Sequence, residues 1–76
     1  MSKTFSGKQV VKLLCREFDF IVASQRGSHV KLVRSIGNKT VTTIVPLHSE
    51  LAKGTMKGVL ELAGIEEKDF WKVVRK

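Results

Sequence analysis

At 76 residues the chain makes one domain, and a chain of that size buries only about 60 % of its unfolded surface, so its core must be small and its loops short. A hydrophobic fraction of 42 % is too high for a disordered chain, and no apolar run approaches the roughly 18 residues of a membrane-spanning helix. Fourteen Lys and Arg against seven Asp and Glu leave +7, which points to a polyanionic partner, nucleic acid first and an acidic protein second, with generic solubility as the bland alternative.

The first residues, Met1-Ser2-Lys3-Thr4-Phe5, lack the apolar stretch of a signal peptide. Ser6-Gly7-Lys8-Gln9 is a capping-box pattern, in which Ser6 and Gln9 satisfy each other's amides. Val10, Val11, Leu14, Cys15 and Phe18 then recur at helical spacing, which predicts a helix from about Gly7 to Glu17. Lys8, Lys12 and Arg16 form a basic stripe along its other face. The single Cys15 falls in the apolar pattern and reads as a reduced core thiol, so a cytoplasmic location is expected.

Phe20 to Ser24 is rich in β-branched and aromatic residues and predicts a strand. Gln25-Arg26-Gly27-Ser28 connects it to a second strand, Val30 to Ser35, where Val30 and Leu32 point one way and His29, Lys31 and Val33 the other. Ile36-Gly37-Asn38-Lys39 has turn chemistry, with Gly37 and Asn38 tolerant of positive φ. Thr40 to Val45 is the third strand, stopped by Pro46, which has no amide to give to a ladder.

After a loop from Leu47, the repeat Met56, Val59, Leu60, Ala63 predicts a second main helix that starts between Ser49 and Thr55 and ends at Gly64. Gly54 and Gly58, one turn apart, would let another surface come close. Ile65 to Val74 predicts a short final helix with Glu66, Glu67 and Asp69 early and Lys72, Arg75 and Lys76 late, the order that suits a helix dipole. The expected architecture is α+β: a three-stranded antiparallel sheet with both main helices on one face, α-β-β-β-α, as in double-stranded-RNA-binding domains. The short C-terminal helix is an addition, residues 1–76 form one domain, and the other sheet face stays open.

Charge is uneven along this layout. Residues 1–49 carry eight Lys and Arg against Glu17 and Asp19, while the remainder carries six against five. In the basic part, Gly27-Ser28-His29 joins two strands. An unperturbed imidazole, with a pKa of about 6.5, can both take and give a proton near neutrality. His29 is therefore a candidate general acid or base, the bland alternative being a surface histidine that hydrogen-bonds its turn. Ser28 is a poor nucleophile candidate, because no third residue is evident to orient the imidazole. Gly27 and Ser28 have amides suited to a phosphate, and Arg26 and Lys31 flank the site. Lys12, Arg16, Lys53 and Lys57 are candidate phosphate contacts, which give affinity without sequence choice. Two histidines without cysteine pairs or a well-spaced carboxylate make a poor metal site, and none is expected.

Gly7 to Leu14, then Gln25-Arg26-Gly27-Ser28-His29, then Val45-Pro46-Leu47-His48, then Gly54-Thr55 and a helix to Ala63-Gly64-Ile65, resemble the HicA-type toxin family in order and spacing over roughly residues 5–66. The resemblance implies a toxin with a double-stranded-RNA-binding-like fold that cleaves messenger RNA with one histidine, here His29, without a cofactor. It also implies a cognate HicB-like antitoxin that silences it. His48 matches a family position and is expected to orient its loop or to help at the site. Two departures stand out. Val30 follows the motif histidine where many relatives have a second histidine or a bulky residue, and the tail beyond Glu66, with Trp71, is longer than the family core.

Overall fold

In the computed structural model, which describes residues 4–75, the chain runs α1 (Gly7–Glu17), β1 (Ile21–Arg26), β2 (His29–Ile36), β3 (Lys39–Pro46), α2 (Lys53–Ala63) and α3 (Glu67–Val74). Met1 to Lys3 of the N-terminal segment, and Lys76 among the late cations of the last helix, lie outside the described residues. The capping box forms as read: the Gln9 amide donates to Ser6 Oγ at 3.1 Å and the Ser6 amide to Gln9 Oε1 at 2.9 Å. Gly64 ends α2 in the left-handed conformation, φ 71°.

The strands pair in sequence order, β1-β2-β3, all antiparallel. Strand β1 starts at Ile21 and not Phe20, and Pro46 is the last residue of β3, paired with His29, and not its stop. All three strands run further toward their hairpins than the apolar patterns suggest, because both hairpins close through two residues. Gly27-Ser28 joins the pair Arg26 and His29, and Gly37-Asn38 joins Ile36 and Lys39. The first residue of each turn is a glycine at positive φ, 58° and 61°, while Asn38 stays out of that region. Such turns match the twist of the strands they join, so the ladder continues up to them.

Val30 and Leu32 of β2 and Thr43 and Val45 of β3 face the helices, and all are buried. They meet Val10 and Leu14 of α1 and Met56, Val59, Leu60 and Ala63 of α2 in one core. Thr43 Oγ1 donates to the Val59 carbonyl at 2.8 Å, which ties β3 to α2 and satisfies a buried hydroxyl. Strand β1 overhangs this core, with every residue exposed. The tail belongs to the body: Phe70 is fully buried, and the Trp71 ring lies tilted at 5.6 Å against Phe5, which also meets Phe70 edge-on at 5.8 Å. Cys15 lies half-buried against the core, and burial raises its thiol pKa, so it stays protonated at neutral pH and reacts slowly with alkylating agents.

The expected close approach at Gly54 and Gly58 does not occur, since a Cβ at either would meet nothing within 4 Å. These glycines sit where α2 faces outward, so they only weaken the helix. Gly58→Ala therefore stabilises the chain by about 1 kcal/mol. In a domain this size that raises the melting temperature by about 4–8 °C, which calorimetry reads directly. The glycine that a close approach does require is Gly7, where a Cβ would come 2.1 Å from the Pro46 carbonyl oxygen.

Candidate functional site

Directly paired residues on an antiparallel sheet share a face, with Cβ atoms about 4.5–5.5 Å apart. With Val30 and Leu32 turned to the helices, His29, Lys31 and Val33 lie on the open face. Arg26 pairs with His29 and Ser24 with Lys31, so Arg26 and Ser24 share it too. That placement depends on a β-bulge. The register shifts between Val22 and Ser24, which leaves Ala23 as an extra residue on β1. Uninterrupted alternation from Ile21 would turn Arg26 toward the helices, and the added residue inverts the order. Arg26, His29 and Lys31 thus form an exposed cationic cluster around one imidazole.

The cluster is held from behind. His29 pairs with Pro46 on β3, and the next amide, Leu47, donates to the Ser28 carbonyl at 2.6 Å. The start of α1 lies against the same point: the Gly7 amide donates to the His48 carbonyl at 2.9 Å, and Gly7 touches the Pro46 backbone. Gln25 Nε2 donates to the Gly27 carbonyl at 3.0 Å and braces the turn across itself. His48 therefore stands at the His29 end of the sheet. Its backbone makes the structural contact, and its ring is free for other use.

Among the described residues, no protein group hydrogen-bonds the His29 ring. It is exposed, and its ring makes no bond to the turn. Ser28 makes no bond to it either, so the serine–histidine pairing that a nucleophile needs is missing. What the cluster offers is an accessible base or acid with two cations beside it, a setting for proton transfer next to a phosphate. Val30 is 4 % exposed and faces the core. A larger side chain at that position would enter the helix-facing layer, so the departure at Val30 removes nothing from the His29 face.

The other sequence-derived cations lie elsewhere. Lys12 and Arg16 are exposed on α1, and Lys53 and Lys57 on α2, both helices covering the face opposite His29. Lys53 borders a groove of about 700 Å³ floored by Phe5, Leu51, Met56 and Trp71, where Glu50 and Glu67 offset its charge. Arg34 is partly withdrawn from the surface. Its guanidinium lies 5.0 Å from the Phe20 ring centroid and donates to the Phe18 carbonyl at 3.1 Å, with Nε buried and unpartnered. Among the described residues, no three His, Cys, Asp or Glu side chains cluster closely enough to hold a metal ion, and no helix is long and apolar enough to cross a membrane.

Residues 7–65 match the family model described as HicA toxin of bacterial toxin-antitoxin. The matched span covers α1 through the end of α2 and includes His29 and His48; α3 follows it. No curated protein and no solved structure gives a significant match.

Proposed function

Because the chain belongs to the HicA toxin family of bacterial toxin–antitoxin systems, we propose that it is a metal-independent endoribonuclease that cuts messenger RNA with His29. The observation that carries this reading is an exposed imidazole on the open sheet face, paired with Arg26 and two residues from Lys31. The imidazole takes the proton of a ribose 2′-hydroxyl, and the freed oxygen bonds to phosphorus. The bond from phosphorus to the 5′-oxygen then breaks, and that oxygen is protonated by the imidazolium or by water. Arg26 and Lys31 counter the charge that builds on the phosphate. One imidazole serves one role at a time, so the reaction is slow, which suits a toxin that need only damage messages occasionally.

A cognate HicB-like antitoxin, the partner that the family implies, silences the chain by covering His29. Ile21, Val33 and Ile44 beside the cations on the open face supply the apolar area for such a contact. The chain acts in the cytoplasm, where its substrate is. Arg26→Ala and Lys31→Ala each weaken RNA binding and lower the slope of log affinity against log salt by about 0.7, the value of one single-strand phosphate contact.

The direct test incubates the purified chain with single-stranded RNA in excess chelator. Fragments ending in 2′,3′-cyclic phosphate and 5′-hydroxyl groups are expected. Salt-sensitive binding with intact RNA would instead identify a non-catalytic RNA-binding module.

A further inference from the structure

Three exposed cations lead away from the His29 site along α1. Lys8, Lys12 and Arg16 recur once per turn, so they stack on one helix face about 6 Å apart. That is the stride of successive phosphates on an extended strand. Lys12 and Arg16 also border a shallow groove of about 360 Å³ whose apolar floor includes Leu13 of α1 and Val73 and Val74 of α3. Glu17 borders the same groove but pairs with Arg16 at 3.2 Å and is mostly covered, with 19 % of its side chain exposed. Lys8 and Lys12 face solvent as positive charge, and Arg16 keeps 70 % of its side chain exposed beside its contact with Glu17.

The stripe begins where the site ends. Pro46 is the cross-strand partner of His29, Gly7 abuts Pro46, and Lys8 follows Gly7. A strand leaving His29 over this end of the sheet meets Lys8 first, then Lys12, then Arg16.

We propose that an RNA strand cut at His29 continues over the end of the sheet and lies along α1, with Lys8, Lys12 and Arg16 holding successive phosphates. The inference rests on the endoribonuclease reading for the identity of its ligand, and it adds the path that the strand takes over the molecule. Only a flexible single strand can turn from the open face onto the helix layer. A duplex, stiff over many base pairs, can lie against one face alone. The contacts are to phosphate, so they set affinity and the minimum length of substrate, not sequence.

The test uses the full chain carrying His29→Ala, so that binding is read without cutting, with and without Lys8→Gln, Lys12→Gln and Arg16→Gln together. On a fluorescent single strand of about twelve nucleotides, the three substitutions weaken binding about tenfold. They also lower the salt slope by about 2, three contacts at about 0.7 each. A strand of about five nucleotides binds both proteins alike, and a duplex as long as the longer strand competes poorly. Unchanged binding of the longer strand overturns the inference, and so does an equal loss on the shorter one, which marks a diffuse charge effect. Loss of antitoxin binding with RNA binding intact overturns it as well, by assigning the stripe to the protein partner. If the unsubstituted chain leaves RNA intact while the length dependence holds, the nuclease reading fails and this inference stands.

Discussion

Alanine in place of His29 lowers the rate of RNA cleavage by about 10²–10⁴-fold, the range that a positioned general acid or base contributes. The fold has little stake in this side chain. It is exposed, its ring has no hydrogen-bond partner among the described residues, and its strand pairing with Arg26 and Pro46 runs through the backbone. A surface change away from packing stays within about 0.5 kcal/mol, so His29→Ala melts where the unsubstituted chain does. The loss is therefore one of chemistry, and growth of cells producing the variant recovers accordingly. His29→Gln sharpens the comparison, because glutamine keeps hydrogen-bonding capacity but moves no proton near neutrality. Equal inactivity of both variants identifies proton transfer. Full activity in the glutamine variant would leave His29 a substrate contact and end its catalytic assignment. His48→Ala retains most of the rate, since the structural contact at that position is made by its carbonyl.

The parts of this molecule that were legible in its sequence are those that local physics decides. The Ser6–Gln9 capping box fixes the start of α1, and its apolar spacing carries the helix to Glu17. Alternation in β2 puts His29 and Lys31 opposite Val30 and Leu32, and the sheet keeps that division. The side of the sheet on which Arg26 emerges was not legible. Ile21-Val22-Ala23-Ser24 has no polar–apolar alternation to betray an added residue, and the bulge at Ala23 decides the side. The placement of Arg34 was not legible either, because it depends on Phe20 arriving beneath it from a different segment. The stripe on α1 was readable from spacing alone. Its position in the opposite layer from His29, reachable around the end of the sheet, depends on how Gly7 meets Pro46.

That contact sets the second large effect, the loss of stability in Gly7→Ala. By helix propensity alone the change should help, since alanine is favoured over glycine by up to about 1 kcal/mol. The surroundings reverse the sign. A Cβ at Gly7 would lie 2.1 Å from the Pro46 oxygen, 2.7 Å from the Leu47 Cα and 2.9 Å from the Pro46 carbonyl carbon. All three atoms are backbone, so no side-chain rotation relieves the clash, and α1 must back away from the end of β3. Retreat stretches the bond from the Gly7 amide to the His48 carbonyl and loosens Val10 and Leu14, which are fully buried in the core. Overpacking costs about 1–3 kcal/mol, and the lost amide bond adds about 1 kcal/mol. A net loss of about 3 kcal/mol lowers the melting temperature by more than about 10 °C in a domain this small. Activity also falls at temperatures where the variant is still folded, because Pro46 and the bond from Leu47 to Ser28 hold the turn that presents His29. Lys8→Ala, one residue on and exposed, is the control that leaves stability unchanged. A Gly7→Ala chain as stable as its parent would show that α1 does not seat on Pro46, and the route from His29 to the basic stripe would go with it.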